Sequence, residues 1–352
     1  MKVGLIGFAG AGKTSLFQAV AEGAGKGSIA AVRVPDPRFD KIVAQVRPKK
    51  ATPATVTLTD DLDDAQGGTG RLFTQRFLDE ARKLDLLLHV VRAFESDVAP
   101  YHASVDPQRD ISTIEDELVL TDLQIAENRL ERLKKSTTAR TPGTPDYLDR
   151  VFFERVRAEL EQGRPIRALE LTEDEAAIAR NYQFLSAKPM VVAVNVSESE
   201  AGHPGPEVQN LIAKLGALGT QAFAVSAEVE KEIAQLDPEA QREFLADYGL
   251  EEPASARLVR AVYDSLGLIT FFTAGENETR AWPLRRGSTA LKAADTIHSD
   301  IARGFIRAEV VSYADWEAAG SWEAAVAQGR MRLEGKEYVV QDGDLLHIRH
   351  KS

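Results

Sequence analysis

The chain has 352 residues, enough for two or three separate hydrophobic cores. Hydrophobic residues make up 43% and charged residues 28%, as in an ordinary globular protein, and no apolar run reaches membrane-spanning length. Zero cysteines exclude disulfides, thiolate metal sites and cysteine nucleophiles, and a net charge of −11 argues against nucleic-acid binding by the surface as a whole.

Val3-Gly4-Leu5-Ile6 is a short apolar run that reads as a buried strand. It runs directly into Gly7-Phe8-Ala9-Gly10-Ala11-Gly12-Lys13-Thr14, which satisfies G-x4-G-K-[ST], and Ser15 to Val20 then opens a helix. Glycines let successive backbone N–H groups turn toward one point, where they and the helix N-terminus stabilise phosphate charge. Lys13 adds a point charge for the β- and γ-phosphates, and the Thr14 hydroxyl is a ligand for Mg²⁺. Residues Gly7 to Ser15 are therefore expected to bind a purine nucleoside triphosphate.

Such a site also needs an acid on a neighbouring strand and loops that meet the base. Val56-Thr57-Leu58-Thr59 alternates in polarity and ends at Asp60, the expected support for Mg²⁺. Leu86 to Val91 reads as a continuous buried strand. Pro189 to Val194 reads as another and ends at Asn195, and Ala222 to Val225 ends at Ser226-Ala227. Each candidate ligand follows the carboxyl end of a strand, where open parallel sheets bind their ligands.

From about Ile114 to Lys135 the pattern becomes a long amphipathic helix, with Val119, Leu123, Ala126, Leu130 and Leu133 on one seam. A Pro/Gly turn at 141–145 separates it from a second helix carrying Leu148, Phe152, Val156 and Leu160, so an antiparallel hairpin is expected. Thr172-Glu173-Asp174-Glu175 reads as a capping box. After Leu266, strands are expected at 269–272, 280–284, 308–311, 338–340 and 345–349, with a helix at 291–301. The fold class is thus α/β, a parallel P-loop sheet flanked by helices, with a helical-hairpin insert and a small α+β domain. Domain limits are 1–113 with 181–266 for the nucleotide domain, 114–180 for the insert and 267–352 for the C-terminal domain. Three basic clusters, around Arg47 and Lys49, Arg129 to Lys135, and Arg280 to Arg286, read first as solvated faces.

With these pieces in place the chain resembles the YchF (Obg-like ATPase) family nearly end to end. The resemblance rests on Val34-Pro35-Asp36-Pro37-Arg38, His89-Val90-Val91-Arg92-Ala93-Phe94-Glu95, Asn195-Val196-Ser197-Glu198, Phe271-Phe272-Thr273-Ala274-Gly275 and Gln341-Asp342-Gly343-Asp344, among others. It implies a GTPase-type domain, a coiled-coil insert and a C-terminal TGS domain of β-grasp fold. It further implies ATP or GTP hydrolysis, association with the ribosome or its RNA, and a cytoplasmic location without membrane contact; a monomer is expected.

Guanine-specific relatives of the P-loop class read the base with N-K-x-D, and here the corresponding residues are Asn195-Val196-Ser197-Glu198. Val196 replaces the lysine that covers the base, and Glu198 is longer than the usual aspartate. ATP is therefore the expected ligand, with GTP as the alternative, framed by Asn195, Val196, Glu198, Ser226 and Ala227. The family's proposed catalytic histidine maps onto His102.

Two switch features depart from the family pattern. No threonine lies between Thr14 and Thr52, where Gly23 to Ser28 is short and Gly-rich, and Gln66 to Gly70 also looks shortened. The D-x-x-G stretch maps onto Asp60-Asp61-Leu62-Asp63, which puts Asp63 where a glycine N–H meets the γ-phosphate. A charge pair at about 4 Å and an effective dielectric near 20 is worth about 4 kcal/mol. The functional expectation is a slow ATPase/GTPase; the alternative is a nucleotide-binding adaptor with little turnover that docks a partner through its hairpin and TGS domain.

Overall fold

The computed structural model describes residues 1–21, 27–66, 72–97 and 99–351. The chain begins with β1 (Lys2–Ile6), α1 (Lys13–Ala21), β2 (Ile29–Arg33), α2 (Pro37–Val46), β3 (Lys50–Thr52) and β4 (Thr55–Thr59). There follow α3 (Gln75–Arg82), β5 (Leu86–Arg92), α4 (Pro107–Leu133), α5 (Pro145–Leu160), α6 (Glu173–Tyr182) and β6 (Met190–Asn195). Next come α7 (Pro206–Ala217), β7 (Gln221–Val225), α8 (Ala227–Ile233), α9 (Pro238–Asp247) and α10 (Ala254–Ser265). The C-terminal elements are β8 (Leu268–Thr273), β9 (Glu278–Arg285), α11 (Ala290–Ile297), α12 (Ser299–Arg303) and β10 (Phe305–Val311), then α13 (Tyr313–Ala319), α14 (Trp322–Ala327), β11 (Arg332–Glu334) and β12 (Leu345–His350). Contacts divide the chain into two compact units, Met1–Ala31 with Thr57–Leu258, and Val32–Val56 with Val259–Ser352.

The first unit is built on a sheet of order β2-β4-β1-β5-β6-β7, in which β1 pairs parallel with β4 and β5, and β6 with β5 and β7. All seven residues of β5 and all six of β6 are buried, because strands covered by helices on both faces need apolar side chains on both. One face packs Ile6, Leu87, Val91 and Val194 against Ile114 and Leu118 of α4, Leu211 of α7 and Phe77 of α3.

Helix α4 starts seven residues before the expected Ile114. Asp106 accepts from the Arg109 N–H at 2.9 Å and Pro107 takes the first helical position, so cap and proline together set the start. The hairpin seam forms, with Val119, Ala126 and Leu130 against Phe152, Phe153 and Val156. Leu148, expected on the seam, is instead 44% exposed. At Thr172 the capping box closes in both directions: the Glu175 N–H donates to Thr172 Oγ1 at 3.3 Å, and the Thr172 N–H to Glu175 Oε2 at 2.9 Å.

A buried acid ties the hairpin to the segment that leads into β6. Asp122 accepts from the Leu185 N–H at 3.0 Å and the Ser186 N–H at 2.6 Å, and burial pushes its carboxyl up to about 6. Asp122→Ala leaves two buried donors unsatisfied and is expected to destabilise the protein by about 2–4 kcal/mol. Equilibrium urea unfolding checks this; a loss under about 1 kcal/mol would mean water replaces the carboxylate at no cost.

The second unit has a mixed sheet of order β11-β10-β12-β8-β9-β3. Strands β8 and β9 form an antiparallel hairpin, and β12 pairs parallel with β8 and antiparallel with β10. Phe271, Trp282, Leu284, Val310 and Leu346 pack against Ala290, Ala293 and Ala294 of α11, a β-grasp arrangement. The expected helix at 291–301 is broken at His298, whose backbone is extended and whose Nδ1 accepts from the Asp300 N–H at 3.1 Å. Residues 338–340 form no strand; Val339 makes a single bridge with Thr289, and β11 pairs with β10 on the side away from β12. Asp344 ties this segment to the turn after it, accepting from the Tyr338 hydroxyl and the Gln341 N–H.

Residues 32–56 were expected in the nucleotide domain but belong to this second unit. β3 pairs with β9, and Phe39 of α2 stacks on Phe272. Arg38 bridges Asp36 and Asp342, each at 2.8 Å, while Asp342 also accepts from the Thr270 N–H. Two of the family-like stretches thus meet in one ionic clasp, which no local rule reveals.

Candidate nucleotide-binding site

Three glycines with positive φ, Gly7, Gly10 and Gly12, shape the loop between β1 and α1. Gly7 has φ 146°, and a Cβ there would lie 2.3 Å from the Val90 carbonyl oxygen. Gly12 has φ 93°, and a Cβ would lie 2.1 Å from Asn195 Nδ2. A side chain fits neither the conformation nor the space. Beneath the loop, the buried Arg92 at the end of β5 donates from Nη1 to the carbonyls of Gly10 (3.2 Å) and Ala99 (2.9 Å) and from Nε to that of Phe94 (2.9 Å). Phe8 and Ala11 are buried, whereas Ala9, Gly10 and Thr14 are exposed and Ser15 is half-buried, so the loop's outer edge faces solvent.

Lys13 is only 6% exposed, and its ammonium is fully engaged. It donates to the carbonyls of Gly7 at 3.0 Å and Phe8 at 2.9 Å, and it pairs with Asp64 Oδ1 at 2.5 Å. Asp64 was missed by sequence reasoning, which singled out Asp63. Asp63 accepts from the Thr74 hydroxyl at 2.5 Å and lies 3.6 Å from Arg76, so the carboxylate that meets the lysine is its neighbour. Two adjacent acids are visible in sequence, but their alternating directions are not. The expectations for Gly23–Ser28 and Gln66–Gly70 fall largely on residues 22–26 and 67–71, outside the described residues.

Thr14 Oγ1 donates to Asp60 Oδ2 at 2.7 Å, which brings a hydroxyl and a carboxylate together beside the loop. Burial raises the Asp60 carboxyl pKa, and Asp64 and Asp61 add to the shift while the Thr14 hydroxyl and Lys13 oppose it. Among the described residues no three acids, histidines or cysteines cluster into a metal cage. A hard oxygen pair of this kind fits Mg²⁺, which takes one or two protein ligands and completes its shell with water and phosphate oxygens.

Asn195 clamps two loops together. Its Nδ2 donates to the Ala11 carbonyl at 3.0 Å, and its Oδ1 accepts from the Ala227 N–H at 3.0 Å. Ser226 is buried and caps α8, accepting from the Val229 N–H at 3.5 Å. Val196 is 2% exposed and packs in the core, with its N–H on the Val225 carbonyl at 2.9 Å. Glu198 lies beyond it on a short turn, exposed, and accepts from the Tyr248 hydroxyl at 2.7 Å.

His102 stacks on Phe8, with ring centres 3.9 Å apart, and so touches the phosphate loop directly. Its Nε2 lies 3.2 Å from Asp110 Oδ1. Asp110 is 1% exposed and also takes the Tyr101 hydroxyl at 2.6 Å and Arg109 Nη2 at 2.7 Å. One loop therefore carries Lys13, Thr14 and the face beneath His102.

Comparison with known proteins gives the chain's family. Residues 268–351 match the YchF-GTPase C-terminal family, described as a protein of unknown function (DUF933). The chain is 36% identical over 363 residues to the ribosome-binding ATPase YchF of Bacillus subtilis (strain 168), covering 99% of each. It is 37% identical to the protein of the same name from Haemophilus influenzae, covering 99% of this chain and 98% of that one. It is 33% identical to Obg-like ATPase 1 of Oryza sativa subsp. japonica, covering 99% and 92%. The solved structure of the Schizosaccharomyces pombe YchF GTPase matches with a TM-score of 0.89 at 30% identity, over 99% of this chain and 97% of that one. With full-length relatives at this identity and the same P-loop domain followed by the same C-terminal unit, the chain belongs to the YchF (Obg-like ATPase) family.

Proposed function

We propose that this protein is a slow, Mg²⁺-dependent ATPase that also accepts GTP and acts at the ribosome in the cytoplasm; ribosome binding and ATPase activity are what the names of two relatives state for them. The observation that carries the reading is the convergence of Lys13, the Thr14–Asp60 oxygen pair and the Asn195 clamp on one loop. Backbone N–H groups of Gly10 to Thr14 and the Lys13 ammonium would hold the phosphates, and Thr14 and Asp60 would hold Mg²⁺. When bound, the ion supplies charge neutralisation at the phosphate oxygens. Glu198 would meet the purine, with Ser226 and Ala227 shaping the opposite loop. His102, braced between Phe8 and Asp110, would order the attacking water. The α4–α5 hairpin and the C-terminal unit are the surfaces we assign to ribosome docking.

The Lys13–Asp64 contact favours a second reading, an adaptor that binds nucleotide with little turnover, because phosphate must displace a carboxylate the protein itself supplies. Steady-state ATP hydrolysis with and without ribosomes separates the two. Turnover above the Lys13→Ala background, stimulated by ribosomes, is the expected result. Turnover equal to that background in both conditions would remove the enzyme and leave the adaptor.

A further inference from the structure

We propose that Tyr248 is a positioning residue that biases the site against guanine by holding Glu198. The inference rests on the reading of residues 195–198 as the base-facing loop. Asn195 has both ends of its amide committed, to the Ala11 carbonyl and the Ala227 N–H, and Val196 is buried in the core. The Ser197 hydroxyl donates to Glu200 Oε2 at 3.1 Å, so Glu198 is the loop's polar side chain left to read a base edge.

Its carboxylate is not free. Tyr248 lies just past α9, and its hydroxyl donates to Glu198 Oε1 at 2.7 Å. The ring is held in place: it packs on Phe244 with centres 5.1 Å apart, at the edge of a cluster formed by Ala201, Val229, Ile233 and Leu245. Backbones are locked as well, since a Cβ on Gly202 would lie 1.8 Å from the Tyr248 carbonyl oxygen. The bond to Glu198 in turn pushes the phenol up to about 12.

Guanine presents two adjacent donors, N1–H and N2–H, which a free carboxylate receives in parallel, one on each oxygen. The Tyr248 hydroxyl leaves each oxygen a free acceptor site but fixes the carboxylate's rotation, so a two-point fit is open only to a guanine edge lying in that one plane. Adenine presents a single donor, its N6 amino group, next to an acceptor. One oxygen, Oε2, is sufficient for it. The Tyr248–Glu198 pair therefore restricts the two-point contact guanine needs more than the one-point contact adenine needs.

The test is the dissociation constants of the full-length Tyr248→Phe and Glu198→Ala proteins for ATP and GTP in Mg²⁺. Removing the hydroxyl is expected to tighten GTP about fivefold while ATP moves little, so the preference ratio shifts. A merely structural tyrosine would leave the ratio unchanged, with both affinities fixed or moving together, and that result overturns the proposal. Glu198→Ala identifies which idea fails. If it changes the ratio while Tyr248→Phe does not, only the role of Tyr248 is lost. If it leaves both constants unchanged, the base-facing reading of the loop falls too.

Discussion

Lys13→Ala is expected to weaken ATP and GTP binding by about 100-fold or more while leaving the fold intact. The ammonium is buried against the loop and forms its bonds to main-chain carbonyls and a carboxylate rather than to core groups. Losing a charge-assisted contact to phosphate costs about 3 kcal/mol, and about 1.4 kcal/mol is a tenfold change. Calorimetric titration with a non-hydrolysable triphosphate reads the loss directly, and unchanged affinity would dismiss the phosphate assignment. The partner substitution runs the other way. Asp64 is 47% exposed, so solvent screens its pairing with Lys13, and Asp64→Asn is expected to tighten triphosphate binding by only about fivefold. Asp63→Gly, by contrast, removes the Thr74 contact and should not match that gain.

The second large effect is a pH dependence of stability set by His89. This residue sits mid-sheet on β5, in register with Ile6 and Val192, and is 1% exposed. Neither ring nitrogen has a hydrogen-bond partner among the described residues. Burial pushes its pKa from 6.5 down to about 3, and the positive charges of Lys13 and Arg167 push the same way. Above pH 6.5 the ring is neutral folded or unfolded, and it makes no pH-dependent contribution. Below that the unfolded chain takes up a proton that the folded one refuses, so stability falls at about 1.4 kcal/mol per pH unit, reaching about 3 kcal/mol at pH 4. His89→Leu removes the titration and should flatten this part of the profile, whatever it does to stability at pH 7. Urea unfolding at pH 7, 5.5 and 4 compares the two slopes. Equal slopes would mean the folded protein admits the proton, through water entry or a local opening.

Much of the frame was legible in the sequence because it follows from neighbours along the chain. Val3 to Thr14 alone specifies strand, loop and helix, since glycine conformations and apolar runs are local properties. The Thr172–Glu175 capping box and the turn before β12 are likewise short-range hydrogen bonding. Boundaries were less legible. The start of α4 depended on weighing Asp106 and Pro107 against an apolar seam that begins later, and the broken helix at His298 depended on a side chain that caps instead of continuing.

What only the tertiary structure decided are contacts between residues far apart in the chain. Sequence shows a run of acids at 60–64, but the fold chooses Asp60 for Thr14, Asp64 for Lys13 and Asp63 for Thr74. It likewise joins Arg38 to Asp342 and Glu198 to Tyr248, and assigns residues 32–56 to the unit of β9. Periodicity states which face of an element is apolar, but not which distant polar group will stand opposite an exposed one. That is settled when the elements pack, because each buried charge must then find a partner within hydrogen-bond reach or lose its hydration without compensation.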